Sequence, residues 1–210
     1  MPTTTLARYG APIAIVAGAL MIITRPVILF ATPTGVGDFT EYVLGTTHAV
    51  TSVVSILAFA LLVIALVALY DREARSAGAF GALAFGAAVV GTVFMTGDWW
   101  YEAFAVPRLA EVAPDTIENF VGGRLIVGGV ASFVLFGIGW IMYGVASMRA
   151  RVIPRNISIT ILVGGFLSGV PIGFAYISGG VVLGLAFVWL GLWMSRTATL
   201  DGVSEAATAG

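Results

Sequence analysis

The segment that decides the fold is ISITILVGGFLSGVPIGFAYISGGVVLGLAFVWLGLWM, residues 157–194, which contains no charged side chain. As one straight helix it would be about 57 Å long at 1.5 Å per residue, almost twice the roughly 30 Å hydrocarbon core of a bilayer. Residues 168–180, SGVPIGFAYISGG, supply the Gly and Pro that a reversal needs. The sequence therefore predicts two antiparallel membrane-spanning helices joined by a turn within this segment.

The composition indicates that lipid surrounds the rest of the chain as well. Of 210 residues, 59% are hydrophobic and 10% are charged, whereas about a quarter are charged in a typical soluble domain. We expect an all-α integral membrane protein, a single bundle of six transmembrane helices within residues 1–196, followed by a disordered cytoplasmic tail, 197–210. The expected helices are 9–31, 43–70, 76–105, 118–147, 155–172 and 177–195.

Several kinds of chemistry are excluded by the residues that the chain lacks. There is no Cys and no Lys, so disulfides, thiolate sites and Schiff-base lysines are not available. The single His, His48, has no second His or Glu at ligand spacing, and no phosphate-binding Gly loop follows a strand pattern. We therefore expect no metal site and no cofactor. A net charge of −1 argues against nucleic-acid binding.

Arginine, the only strong cation in the chain, predicts the orientation of the bundle. With six helices, seven arginines fall on one side of the membrane and three on the other. The positive-inside rule then predicts that both termini are cytoplasmic. The run from Ala11 to Ala31 is long enough to span a bilayer and is read as a retained first helix rather than a cleaved signal peptide. The larger group is Arg8, Arg72, Arg75, Arg149, Arg151, Arg155 and Arg196, and the smaller is Arg25, Arg108 and Arg124.

Glycines recur every four residues near the C-terminal end. Gly165, Gly169 and Gly173 form one such ridge, and Gly180 with Gly184 forms another. Small residues at this spacing let membrane helices approach closely. The ridges predict tight packing within the bundle, with a homo-oligomer through these Gly-rich faces as the alternative.

Polar residues converge near the predicted outer surface. Counting from the cytoplasmic helix ends places His48, Asp98 and Arg124 about 33–35 Å from the inner boundary, near the outer interface. The same count places Arg25 about 25 Å from the inner boundary, inside the hydrocarbon. Helical spacing places these groups on polar stripes that should face the bundle interior. One stripe is Glu41, Gly45, His48, Ser52 and Ser55, and the other is Gly91, Met95, Asp98 and Glu102. We therefore predict an outer-leaflet pocket whose ligand-binding residues are Arg25, Glu41, His48, Trp99, Tyr101 and Arg124, beside the two acids.

The stretch MTGDWWYEAF, residues 95–104, places Asp98 and Glu102 one helical turn apart. The two carboxylates repel if both are ionised, so either a cation neutralises them or one keeps its proton. Arg25 and Arg124 are the expected partners, in a charge-balanced cluster that stabilises the bundle. Alternatively, Gly97 ends the helix and Asp98 caps an interfacial segment, with the aromatic residues forming part of the membrane aromatic belt.

Three functions are compatible with this pocket. It can bind a membrane lipid or another small amphipathic molecule. Alternatively, Asp98 or Glu102 acts as the catalytic general acid of an intramembrane cyclase or isomerase of isoprenoid-type lipids. The aromatic walls that would stabilise a carbocation are then Trp99, Trp100, Tyr101 and Phe104. As a second alternative, His48 and the two acids form the proton relay of a small transporter.

The segment LVALYDREARSAGAFGALAFGAAVVGTVFMTGDWWYEAFAVPRLAE, residues 66–111, resembles small uncharacterised multi-pass membrane proteins of high-GC, actinobacterial-type bacteria. The shared features are a helix, a short Arg-rich turn, a Gly-rich helix and an aromatic, acidic outer end. The Ala, Gly and Arg bias without Lys fits such a genome. The resemblance implies a topology and no particular activity.

Overall fold

The computed structural model describes residues 5–33, 38–118 and 123–208, and every element in these ranges is a helix. The all-α prediction is confirmed. The elements are α1 (Thr5–Ala31), α2 (Asp38–Leu44), α3 (Thr46–Trp100), a π-helical turn (Tyr101–Ala105), α4 (Val106–Val112), α5 (Pro114–Glu118), α6 (Arg124–Ala150), α7 (Arg155–Ser168) and α8 (Gly173–Thr208).

Four helical stretches of the described ranges are long and apolar enough to cross a membrane. They are Tyr9–Ala31, Thr46–Val112, Ile126–Ala150 and Gly173–Thr197. The apolar helix α7 has 14 residues and is about 21 Å long, which is shorter than the hydrocarbon core. These helices indicate a membrane protein built as a helical bundle, in agreement with the composition.

Helix α3 folds back on itself at Gly78, whose φ of 60° and ψ of −164° are not helical. A side chain is strained at this φ, so the reversal falls on a glycine. The first arm of α3 (46–77) and the second arm (79–100) run antiparallel: Tyr70 stacks on Phe85 with ring centroids 4.3 Å apart. The two arms replace the predicted helices 43–70 and 76–105. The first arm extends through residues 71–77 because Arg, Glu and Ala are good helix formers.

The helical segments surround one apolar core. Helix α1 packs between the first arm of α3 and α8, α7 packs between α8 and α6, and α6 packs against α3. Aromatic rings fill the centre, where Trp140 contacts Phe136 and Phe187. All three rings are fully buried. Because Trp140 of α6 contacts Phe187 of α8, the core joins these two helices.

The predicted glycine ridges pack inside the chain. A side chain at Gly169 would begin 2.6 Å from the Cα atom of Gly137, and one at Gly184 would begin 2.7 Å from the carbonyl oxygen of Gly18. A side chain at Gly165 would also collide with Trp140, and one at Gly180 would collide with Arg25. Nothing lies within 4 Å of a side chain placed at Gly173. The internal packing predicted for the ridges is therefore confirmed at four of the five positions. The homo-oligomer stays a prediction.

Some helix ends differ from those predicted. Helix α6 begins at Arg124 rather than at 118, after Gly123 with a φ of 88°. Helix α7 ends at Ser168 rather than at 172 because Gly169 and Pro171 belong to the turn. Helix α8 extends to Thr208, although a disordered tail was predicted from residue 197. Ala, Leu and Glu in this stretch favour helix, and no Pro interrupts it.

Candidate functional site

The residues predicted to line one pocket lie in three places. Arg25 and Trp99 belong to a buried aromatic cage. Asp98, Tyr101, Glu102 and Arg124 line a groove between the second arm of α3 and α6. Glu41 lies in a separate depression, and His48 contacts Glu102 from the buried side.

The Arg25 cage consists of Arg25 with the rings of Phe59, Trp99 and Tyr176. The guanidinium carbon lies 5.3, 4.8 and 5.0 Å from the respective ring centroids, and the side chain is 0% exposed. Its Nη1 donates a hydrogen bond of 2.7 Å to the hydroxyl of Tyr176, which also accepts one of 3.0 Å from Nε1 of Trp99. The negative faces of three rings thus replace water around a cation deep in the bundle.

Arg25 does not neutralise the two acids as predicted. Within the described ranges, no carboxylate oxygen lies within 4.0 Å of its guanidinium. Consecutive helical residues point about 100° apart, so Trp99 faces Arg25 while Asp98 faces α6. Gly180 makes room for the cation, because a side chain there would begin 2.9 Å from the Cγ and Cδ atoms of Arg25. Tyr176 and Gly180, one turn apart on α8, are the sequence signal that the prediction missed.

We expect Arg25→Lys to lower the free energy of unfolding by about 2 kcal/mol more than Arg25→Met does. A lysine ammonium is compact and strongly hydrated, so it loses more hydration free energy on burial than a guanidinium does. It also cannot spread its charge over three rings. Methionine fills the same space and makes favourable sulfur–aromatic contacts. Unfolding in detergent micelles with increasing SDS measures the difference. A lysine variant as stable as the methionine variant would mean that water reaches the cage.

The groove has a volume of about 650 Å³. Its walls are mainly apolar and include Phe94, Val130 and Phe133. Its polar groups are Asp98, Tyr101, Glu102, Ser132 and Arg124. A molecule in the groove would therefore contact both an apolar wall and a carboxylate, which is the arrangement that an amphipathic ligand requires.

The short helix α7 and two glycines create the groove. Helix α7 ends where Gly169 meets Gly137 and the carbonyl oxygen of Phe133, so it does not cover the part of α6 nearer to Arg124. Gly128 and Gly129 line this uncovered part, and only Asp98 Oδ1, at 3.8 Å, would be near a side chain at position 129. The groove therefore exists because Gly128 and Gly129 have no side chains that would fill it.

The two acids have different surroundings. Oε2 of Glu102 lies 3.4 Å from Nε2 of His48, which is 4% exposed and packs edge-on against Tyr42. The side chain of Asp98 has no hydrogen bond or ion pair with any described residue. Arg124 lines the same groove but forms no ion pair within 4.0 Å among the described residues. Asp98 is thus the acid that is available to a ligand.

Helix α3 continues through Gly97 to Trp100, so the interpretation that Gly97 ends the helix and Asp98 caps the next segment is wrong. The helix then widens into the π-helical turn that carries Tyr101 and Glu102. Turns of this kind are frequent at functional sites. The hydroxyl of Tyr101 is buried without a hydrogen-bond partner among the described residues, although the residue lines the groove.

The predicted aromatic walls are only partly present. Tyr101 lines the groove, but Trp100 and Phe104 point outward, 57% and 54% exposed. Phe94 and Phe133 take their place.

Glu41 is exposed and does not reach the acids, because its stripe is interrupted at Gly45, which has extended backbone with φ −77° and ψ 154°. His48, Ser52 and Ser55 beyond the break are buried as predicted. Glu41 lines a separate depression of about 350 Å³ with Tyr42, Thr47 and Pro33.

Sequence reasoning missed a buried acid at the opposite end of the bundle. Glu73 is 1% exposed, and its Oε2 accepts hydrogen bonds from the hydroxyls of Tyr143, at 2.8 Å, and Ser147, at 2.9 Å. The predicted helices 43–70 and 76–105 leave this residue in the loop between them, on the predicted cytoplasmic side. Two hydroxyl donors one turn apart on α6, Tyr143 and Ser147, are the sequence feature that indicates a buried hydrogen-bond acceptor opposite them.

Within the described ranges, no three side chains among His, Asp and Glu are grouped so that they could hold a metal ion. Comparison with protein-family models, curated proteins and solved structures finds no match to this chain.

Proposed function

We propose that this chain is a multi-pass protein of a bacterial plasma membrane whose groove binds a lipid-like or small amphipathic molecule. One observation carries the proposal: the carboxyl of Asp98, which has no hydrogen-bond or ion-pair partner among the described residues, lies in a mainly apolar groove on the outside of the bundle. Phe94 and Val130 in its wall are 50% and 42% exposed, so acyl or isoprenoid chains can enter from the bilayer. The carboxyl then accepts hydrogen bonds from a hydroxyl or amine at the polar end of the ligand.

The proposal includes six membrane spans with both termini in the cytoplasm. Gly10 packs against Ala68 and Met194, so the start of α1 and the end of the apolar part of α8 lie near the Gly78 reversal. The guanidinium carbon of Arg149 lies 4.8 Å from the centroid of the Phe80 ring. This contact places the α6–α7 turn at the same end of the bundle as the Gly78 reversal. The arginine-rich loops thus lie together, which supports a cytoplasmic assignment of this end.

An acid-catalysed cyclase or isomerase is the second candidate. Asp98 lies beside Phe94 and Phe133 in the groove, and aromatic faces stabilise a developing carbocation. The transporter alternative has less support, because the fully buried Leu62, Leu66 and Leu69 separate His48 from Glu73 with apolar side chains.

The test is native mass spectrometry with lipidomics on the purified wild type and two variants. Asp98→Asn with Glu102→Gln removes the acids, and Gly129→Leu fills the groove. We expect the wild type to retain a specific lipid or isoprenoid that both variants lose. Gly86→Leu is the matched control, because nothing lies within 4 Å of that position, and it should retain the ligand.

The outcomes separate the candidates. Conversion of an added isoprenoid by the wild type but not by the acid-free variant would establish the enzymatic function. A wild type that carries no specific molecule, or a Gly129→Leu variant that keeps it, would rule out the groove as a ligand site.

A further inference from the structure

The α6–α7 turn forms a basic cavity that the proposed function does not use. Arg149, Arg151 and Arg155 line a space of about 930 Å³ together with Val145 and Met148. All three arginines are exposed. Among the described residues, no carboxylate lies within 4.0 Å of them. Three positive charges therefore border one space without an acidic partner in the part of the chain that the structure describes, although Arg149 also lies over the ring of Phe80.

The backbone of the turn adds to this positive field. Helix α7 begins at Arg155, and Pro154 at its N-cap provides no side-chain hydrogen bond to the first amides. The amides of Ile157 and Ser158 donate to the carbonyl oxygen of Pro154, so the partial positive charge of the helix N-terminus, which favours an anion, rests on the amides of Arg155 and Asn156. The start of α7 and the three arginines thus attract the same kind of group.

Arg151 occupies a position that suits glycine better. Its φ of 56° and ψ of 25° are left-handed, and it is the only non-glycine residue with positive φ in the described ranges. An arginine is strained in this conformation, whereas glycine is not. The amide of Arg151 donates to the carbonyl oxygen of Ser147 and ends α6, and this helix ending places Arg151 in the lining of the cavity.

We propose that this cavity binds the phosphate group of an anionic membrane lipid. The arginines and the start of α7 bind the phosphate, and the acyl chains lie along the apolar part of the cavity, which includes Val145 and Met148. Basic pockets at the ends of membrane helices bind anionic headgroups through the same combination of charge and apolar contact. A soluble phosphate offers the same anion but leaves the apolar side unused.

Native mass spectrometry of the full chain in detergent tests this proposal. Phosphatidylglycerol and phosphatidylcholine with the same acyl chains are titrated in parallel, and inorganic phosphate is added as a competitor. We expect the wild type to prefer phosphatidylglycerol and Arg151→Gln with Arg155→Gln to bind it about 10-fold more weakly. The matched control, Arg8→Gln with Arg196→Gln, removes two charges from the same predicted side and should bind like the wild type.

A single variant separates binding from stability. Arg151→Gly relieves the backbone strain, so it should unfold at a higher temperature than the wild type while binding phosphatidylglycerol more weakly. The proposal is overturned if the control variant loses as much affinity as the turn variant, because general charge would then explain binding. It is also overturned if inorganic phosphate displaces the lipid at equal concentration, since the ligand would then be a soluble anion.

Discussion

Removing both hydroxyl donors of Glu73, by Tyr143→Phe with Ser147→Ala, is expected to lower the free energy of unfolding by about 3 kcal/mol. Glu73 is 1% exposed, and these hydroxyls are its hydrogen-bond partners among the described residues. Its other oxygen, Oε1, is buried without one. Without the donors, an acid would be left buried and unsatisfied. SDS-induced unfolding in detergent micelles, followed by tryptophan fluorescence, measures the loss.

The control for this experiment removes the acceptor as well. Glu73→Leu combined with Tyr143→Phe and Ser147→Ala leaves no polar group unsatisfied at this position, so most of the lost stability should return. A two-residue variant as stable as the wild type would show that Glu73 obtains hydrogen bonds elsewhere. A three-residue variant no more stable than the two-residue one would show that packing, not the buried acid, causes the loss.

Gly91→Ala is expected to lower the free energy of unfolding by about 2–3 kcal/mol, whereas Gly86→Ala on the same arm of α3 should raise it by up to about 1 kcal/mol. A side chain at Gly91 would begin 2.5 Å from the carbonyl oxygen of Leu135 and 2.7 Å from the Cα atom of Phe136. Both atoms belong to the backbone of α6, so the two helices would have to separate. Nothing lies within 4 Å of Gly86, and alanine favours helix over glycine.

The opposite signs of these two substitutions are the informative result, because both add one methyl group to the same helix. Thermal unfolding in detergent, monitored by size-exclusion chromatography, is sufficient to rank the variants. If both lose stability equally, glycine is required along this arm for flexibility rather than for close approach to α6.

The Arg25 cage and the groove share a wall. The ring of Phe133, which lines the groove, packs edge-on against Tyr176 at 4.8 Å, and Tyr176 accepts the hydrogen bond from Arg25. The cage therefore packs against the buried side of the groove wall, although Arg25 itself does not contact the two acids. A variant that disturbs the cage is expected to change ligand retention through Phe133 and through Trp99, which precedes the groove residues Tyr101 and Glu102 and follows Asp98 in the chain.

The sequence by itself determined the class of the protein and most of its helices. Charge-free runs of membrane-spanning length have few alternatives to helix, because lipid cannot satisfy exposed backbone groups. The turn within residues 157–194 follows from the same constraint of length, and it lies at Gly169–Ile172, within the predicted stretch. The glycine ridges likewise indicated close packing, because spacing alone places their members on one face.

Only the tertiary structure decided which polar groups meet. Counting residues placed His48, Asp98 and Arg124 at similar depth and Arg25 deeper in the hydrocarbon, but depth does not specify direction around a helix axis. Rotation of about 100° per residue separates Trp99, in the Arg25 cage, from Asp98, in the groove. The break at Gly45 removes Glu41 from the stripe, and the folded bundle buries Glu73 beneath Tyr143 and Ser147. These contacts depend on how far each helix is rotated toward its neighbours, and packing sets that rotation.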